Sequence, residues 1–105
     1  MDIDVKGRIY RFLEAKAPTP SVGPTRKLMF TGVQIFEPKV FGYMDADEAA
    51  QKFSTTMQTY PRMLQAGEAL YGFCFEGFWQ DLGTVERIKS VEDSLTLGRS
   101  RLHYL

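Results

Sequence analysis

The sequence predicts an α/β fold in which helices pack on a sheet, and three stretches carry that expectation. Residues 28–36, Leu-Met-Phe-Thr-Gly-Val-Gln-Ile-Phe, are nearly continuous in apolar character, the pattern of a strand covered on both faces. Residues 54–67 and 84–98 each repeat apolar positions at three- and four-residue spacings between a hydroxyl residue and a glycine, as capped helices do. Finally, Gly77-Phe78-Trp79-Gln80-Asp81-Leu82-Gly83-Thr84 runs from an aromatic strand into an acid, a glycine turn and a helix start. A carboxylate at that place sits where open α/β sheets bind their ligands, so Asp81 heads the candidate functional residues.

Taken in order, Gly7 supplies a turn, and residues 8–12 alternate as a short strand with Ile9 and Phe12 on the favoured face. Residues 15–26 carry three prolines and a glycine, which predicts a loop of about a dozen residues. Its cations Lys16, Arg26 and Lys27 either meet a phosphate or are simply solvated. Residues 28–36 form the central strand, in which Gly32 marks a bulge or a close approach to the backbone. Thr31 and Gly32 are therefore ligand contacts or a structural bend. Pro38 opens a short helix through Tyr43, with Val40 and Phe41 packing it down. Asp45, Asp47 and Glu48 offer paired carboxylates for a metal, but with no histidine nearby and good helix formers following they read as a solvated helix start.

Ser54 or Thr55 caps the next helix, which runs through Met57, Tyr60, Met63 and Leu64 to Gly67, and Pro61 predicts an irregular helix or a second start. Residues 69–75 and 78–81 are expected to pair as a hairpin around Glu76-Gly77. Thr84 then caps a helix whose apolar face is Val85, Ile88, Val91 and Leu95 and which Gly98 stops. His103, in the tail, has no spaced partner and reads as a surface residue.

Over 105 residues the chain holds thirteen basic and thirteen acidic side chains, a net charge of zero. That leaves no basic field of the kind that binds a phosphate backbone, and excludes nucleic acid as the expected partner. The single cysteine, Cys74, forms no internal disulfide and is expected as a small buried hydrophobe, which fits a reducing cytoplasm. No apolar run reaches the ~20 residues that cross a bilayer, and the first residues have no signal pattern. The expectation is one soluble domain with no membrane partner.

Several of these stretches together, Gly7-Arg8-Ile9, Phe30-Thr31-Gly32-Val33-Gln34-Ile35-Phe36, Tyr60-Pro61-Arg62-Met63-Leu64 and Gly77 to Thr84, resemble the second half of the sugar-nucleotidyltransferase domain of the nucleoside-diphosphate-sugar pyrophosphorylases. The wording of residues 30–36 looks closest to mannose-1-phosphate guanylyltransferase-like members. The resemblance implies the C-terminal half of a Rossmann-like mixed-sheet domain with helices packed on the sheet. It also implies an activity that joins an NTP and a sugar 1-phosphate into an NDP-sugar and pyrophosphate, with Mg2+. In such enzymes the acid matching Asp81 shares the metal with an aspartate of the first half, and magnesium neutralises charge while the sugar phosphate attacks the α-phosphorus. Without a metal, Asp81 would instead accept bonds from the start of the helix after Thr84.

The resemblance further assigns an acid and a lysine to the sugar hydroxyls and the sugar phosphate. In the family these are adjacent and precede a proline. Here they are Glu14 and Lys16, with Ala15 between them, so on an extended segment their spacing differs from the family pattern. Thr31 and Gly32 match the sugar-side strand. The family's glycine-rich NTP loop has no match, since Gly7, Gly23, Gly32 and Gly42 stand singly. Residues 1–105 are accordingly expected to be a partial domain, the sugar-binding and metal-completing part without the nucleotide-binding half. Such a part is expected to be inactive alone, and to associate with itself or with the missing half through unpaired sheet edges. The alternative is a non-catalytic module that pairs with an intact nucleotidyltransferase.

Overall fold

Asp2-Ile3-Asp4 alternates two acids about one apolar residue, and only Ile3 of the three is fully buried. In the computed structural model, which describes residues 1–44 and 54–102, this segment is strand β1 (Asp2–Asp4). It lies between β2 (Ile9–Phe12) and β4 (Thr25–Lys27), with β3 (Ala15–Lys16) on the outer side of β2, so that the order is β3-β2-β1-β4. Every pairing in this sheet is antiparallel. The chain divides into two units, Met1–Cys74, which holds the sheet, and Phe75–Leu105.

The sheet solves a phase problem visible in β2. Ile9 and Phe12 are both buried, although residues three apart in a regular strand point to opposite faces. The register supplies the reason: Asp2 faces Arg11 while Ile3 faces Ile9, so Tyr10 is an extra residue on β2. This bulge brings both apolar side chains to one face. The turn before it is built by Asp4, whose Oδ1 accepts from the amides of Lys6 at 2.8 Å and Arg8 at 2.9 Å. Gly7 completes it at φ 89°.

Ile3, Ile9, Phe12 and Ala15 meet Tyr60 and Leu64 in the core of the first unit. Phe12, Phe30 and Tyr60 stack edge to face, with centroids 5.3 to 6.1 Å apart, the arrangement aromatic quadrupoles favour. Tyr60 and Leu64 are presented by α1 (Tyr60–Gln65), which has Pro61 in its first turn. A π-helical turn, Thr55–Thr59, leads into it, and the Ser54 hydroxyl accepts from the Met57 amide. Of the irregular helix or second start that Pro61 predicts, the irregular helix is present: the π-helical turn continues into α1 through a helical Thr59 with no side-chain cap. After α1, Gly67 adopts φ 82°. Its amide donates to the Leu64 carbonyl and that of Glu68 to the Met63 carbonyl, closing the helix as a Schellman motif. The expected short helix is a 3-10 helix, Pro38–Tyr43, with Val40 buried and Phe41 exposed.

In the second unit, α2 (Val85–Thr96) starts as predicted. The Thr84 hydroxyl accepts from the Arg87 amide at 3.2 Å. Gly98, at φ 69°, ends the helix with the same pair of bonds, from its own amide to Leu95 and from the Arg99 amide to Ser94.

Four expectations are corrected. Residues 28–36 join no ladder beyond the two bonds between Leu28 and Met1, from the Leu28 amide to the Met1 carbonyl and from the Met1 ammonium to the Leu28 carbonyl. Leu28 and Phe30 pack on the core, while Val33 and Ile35 are 82% and 98% exposed. The apolar character is there, but the described residues offer no neighbouring strand. Residues 69–81 form no hairpin; instead Tyr71 bridges back to Arg8, with the Ile9 amide donating to Leu70 and the Gly72 amide to Gly7. Cys74 is exposed rather than buried, and its neighbour Phe73 is 93% exposed. The supposed loop of residues 15–26 begins and ends in strands, β3 and β4, because cross-strand partners rather than local propensity decide pairing there. No residue of α2 is buried, so its apolar stripe is uncovered among the described residues. Asp45, Asp47, Glu48 and His103 lie outside the described residues.

Candidate functional site

Glu14 and Lys16 owe their positions to the β2–β3 hairpin. Phe12 faces Ala15, which leaves Leu13 and Glu14 as a two-residue turn. Leu13 has φ 53° and is the only described residue other than glycine with a positive φ. Glu14 is exposed at the tip. Lys16 stands opposite Arg11 on β2, and Arg11 stands opposite Asp2 on β1. The Arg11 Nε lies 2.9 Å from Asp2 Oδ2, and its Nη2 donates to Oδ1 at 3.4 Å; only the Nη2 contact has hydrogen-bond geometry. Asp2, Arg11 and Lys16 line a groove of about 330 Å³ together with Ser21, Gly23 and Thr25. Glu14 does not line it.

Thr31 and Gly32 lie on the segment between Phe30, which packs on the core, and Gln34, whose Oε1 accepts from the Tyr60 hydroxyl. Burial pushes the Tyr60 phenol up, so it remains a donor in the neutral range. Gly32 has φ 92°, which explains the glycine in conformational terms. An added Cβ there would meet nothing within 4 Å, so no close backbone approach is present among the described residues. Neither residue lines the groove of Lys16.

Asp81 belongs to the second unit. Its Oδ2 accepts from Arg87 Nη1 at 2.6 Å, with both side chains about half exposed. The carboxylate lies over Gly83, where an added Cβ would come within 3.2 Å of Oδ1. The pair spans the first turn of α2, and Glu86 adds a further acid to that turn. The described bonds to Asp81 therefore fit the metal-free reading better in position than in detail, because the donor is a side chain rather than a helix amide. No group of three or more histidine, cysteine, aspartate or glutamate residues able to hold a metal exists among the described residues. With one carboxylate, already paired, these residues do not by themselves fit a magnesium centre.

One cluster had no signal in the sequence. Glu68 Oε1 accepts from the Tyr43 hydroxyl and from Lys39 Nζ, each at 2.7 Å. Lys39, then Tyr43, holds the Glu68 carboxyl below its ordinary value, and Glu68 raises both partners. The partners are more than twenty residues apart, so no local spacing could reveal them. None of the helices is long and apolar enough to cross a membrane among the described residues.

The family model described as Nucleotidyl transferase matches residues 1–96. Glucose-1-phosphate adenylyltransferase of Desulfitobacterium hafniense (strain Y51) is 36% identical over 89 residues, which cover 82% of this chain and 21% of that protein. The protein of the same name from strain DSM 10664 / DCB-2 is also 36% identical over the same extent. That of Desulforamulus reducens is 30% identical over 82 residues, 75% of this chain and 21% of its own. The chain thus spans about a fifth of the length of these relatives. No solved structure matches it significantly.

Proposed function

This chain belongs to the nucleotidyl transferase family, and from that premise we propose that it serves as the sugar-binding, metal-completing part of an NDP-sugar pyrophosphorylase. The complete domain would be Rossmann-like with a mixed sheet, and these residues would be its C-terminal half. The reaction is transfer of a nucleotidyl group from an NTP to a sugar 1-phosphate, releasing pyrophosphate. The observation that supports this reading most is the family match over residues 1–96, which includes Glu14, Lys16, Thr31, Gly32 and Asp81.

In this reading the Glu14 carboxylate accepts from sugar hydroxyls at the hairpin tip, and the Lys16 ammonium faces the sugar phosphate. Thr31 and Gly32 border the sugar from the segment pinned by Phe30 and Gln34. Magnesium, when bound by the complete domain, supplies charge neutralisation between two anionic reactants. Asp81 would contribute one carboxylate if freed from Arg87, and the remaining ligands would come from the nucleotide-binding part. The reaction takes place in the cytoplasm, and the chain alone does not turn over.

The names of the relatives make ATP and glucose 1-phosphate the first substrate pair to test. GTP and mannose 1-phosphate, suggested by residues 30–36, are the second. The purified chain is incubated with each pair and magnesium, with and without a polypeptide carrying the remaining four-fifths of the Desulfitobacterium relative. Pyrophosphate release is expected only in the mixture. Robust release by the chain alone would sink the claim of incompetence, and no release from any mixture would sink the assignment.

A second reading is a non-catalytic module that pairs with an intact nucleotidyltransferase or with itself. The exposure of Val33, Ile35 and Phe73 favours it, since unpaired apolar segments of high β-propensity recruit strands from other chains. Co-purification with an intact enzyme, without gain of turnover in the mixture above, is the outcome that selects it.

A further inference from the structure

We propose that Arg11 and Lys16 together bind a phosphate group of a small phosphorylated ligand in the groove on the solvent face of the sheet; this rests on the reading that Lys16 serves a phosphate. The register carries the proposal. Lys16 faces Arg11, and Arg11 faces Asp2, so the three side chains stand in one cross-strand row. Strands lie about 4.8 Å apart, a spacing that lets an ammonium and a guanidinium on neighbouring strands reach the oxygens of one phosphate.

The two cations differ in their ties. Arg11 is held by Asp2 through one hydrogen bond from Nη2 and an ion-pair contact at Nε, whose N–H is buried without a hydrogen-bond partner among the described residues, which leaves Nη1 and one Nη2 proton of its five N–H donors open to a ligand. The Lys16 ammonium has no hydrogen-bond or ion-pair partner among the described residues. Asp2 is therefore a strut that costs the site one negative charge, and Lys27, opposite Asp2 on its other side, adds a cation to the same row. Three cations against one carboxylate leave this row with a surplus of two positive charges. The Thr25 hydroxyl lines the same groove, as does Ser21, whose hydroxyl already donates to the Gly23 carbonyl at 2.9 Å. The groove volume of about 330 Å³ lies at the lower end of the range for small-molecule sites, about 300–1,000 Å³, and suits a phosphorylated monosaccharide or one end of a nucleotide. A forked, always charged guanidinium beside a mobile ammonium is the side-chain set that phosphate selects.

The test titrates inorganic phosphate, then glucose 1-phosphate and ATP, into the intact 15N-labelled chain while amide shifts are followed. Saturable shifts confined to Arg11, Lys16, Ser21, Gly23 and Thr25 are expected, weakening as salt rises. Lys16→Ala should weaken phosphate binding about tenfold, the loss of one charge-assisted contact. Arg11→Lys, which keeps the charge and loses the fork, should weaken it too, and serves if Arg11→Ala fails to fold. Asp2→Asn should tighten it by removing the opposing charge. Preference for glucose 1-phosphate identifies a sugar phosphate as the source, and preference for ATP a nucleotide. Shifts scattered over all surface cations, or binding unchanged by Lys16→Ala and Arg11→Lys, overturn the site. Because no NTP turnover is read, phosphate binding without activity in the mixture leaves this site standing while the proposed reaction fails, and the reverse result removes the site alone.

Discussion

The Asp81 carboxylate is held by Arg87, 2.6 Å from Nη1 to Oδ2, across the first turn of α2. The same turn is capped by Thr84, whose hydroxyl accepts from the Arg87 amide, so Arg87 is tied at its backbone and at its side chain. The two ties are unequal. Thr84→Ala should lower the stability of α2 by about 1 kcal/mol, as loss of an N-cap does. Arg87→Ala breaks an exposed pair and should cost less than about 1 kcal/mol. Amide exchange along residues 88–91 reads both, and a larger effect from Arg87→Ala than from Thr84→Ala would contradict this ranking.

Gly7 and Gly72 meet where the segment after α1 returns to the sheet. The Gly72 amide donates to the Gly7 carbonyl at 2.8 Å. A Cβ on Gly7 would come within 3.0 Å of the Gly72 carbonyl oxygen, and one on Gly72 within 2.7 Å of Ile3 Cδ1. Gly7→Ala also forces alanine to φ 89°, so it should destabilise by about 2 kcal/mol or more. Gly72→Ala overpacks a buried side chain and should lose about 1–3 kcal/mol. Ile3→Val removes the clashing methyl, so the double variant should lose at least about 0.5 kcal/mol less than the sum of the singles. Urea unfolding of the four proteins decides it, and strict additivity counts against the contact.

Such contacts explain which parts of the fold were legible beforehand. Thr84, Ser54, Gly67 and Gly98 act through bonds within a few residues of themselves, and their sequence signals correspond to what is seen. Pro38 likewise marks its 3-10 helix. β1 has no strand signal of its own, because Asp2-Ile3-Asp4 is short and aspartate is poor in strands; it exists because β2 and β4 flank it. The extra Tyr10 in β2 has no local signature, though the three-residue spacing of Ile9 and Phe12 hinted at it. Apolarity alone marks residues 28–36 as a central strand, yet apolarity reports a surface to be covered and not the partner that covers it. For the same reason the sequence singled out Asp81 and Lys16 but not their neighbours Arg87 and Arg11, and nothing local could join Glu68 to Lys39 and Tyr43.

Leu13 provides a sharper test of local strain. It occupies the first turn position between Phe12 and Ala15 at φ 53°, with its side chain about half exposed. A residue with a Cβ there is penalised by contact with the following carbonyl, an effect of about 1–2 kcal/mol that asparagine tolerates better. Leu13→Asn should therefore raise stability by about 0.5–1 kcal/mol, and Leu13→Val, branched at Cβ, should lower it by a similar amount. Thermal unfolding measures both, and a loss on Leu13→Asn would mean that leucine packing outweighs backbone strain.

The Glu68 cluster predicts how stability depends on pH. Lys39, and after it Tyr43, depresses the Glu68 carboxyl below its ordinary 4.5. A depressed acid binds fewer protons folded than unfolded, so its contribution is complete above 4.5 and is lost as the pH falls through the lower folded value. Lys39 and Tyr43 are raised above 10.5 and 10.0 by Glu68. Their contributions are complete below those values and are lost as the pH rises through the higher folded ones. Stability should thus hold level across neutral pH and decline at both ends. Glu68→Gln should reduce both declines. Lys39→Met should weaken the acid-side decline more than Tyr43→Phe does, because Lys39 has the larger influence on Glu68. The check is the carboxyl shift of Glu68 followed by NMR together with urea midpoints from acid to alkaline pH. A Glu68 that titrates at or above 4.5, or an acid limb that Glu68→Gln leaves untouched, would show that the 2.7 Å contacts do not persist in solution.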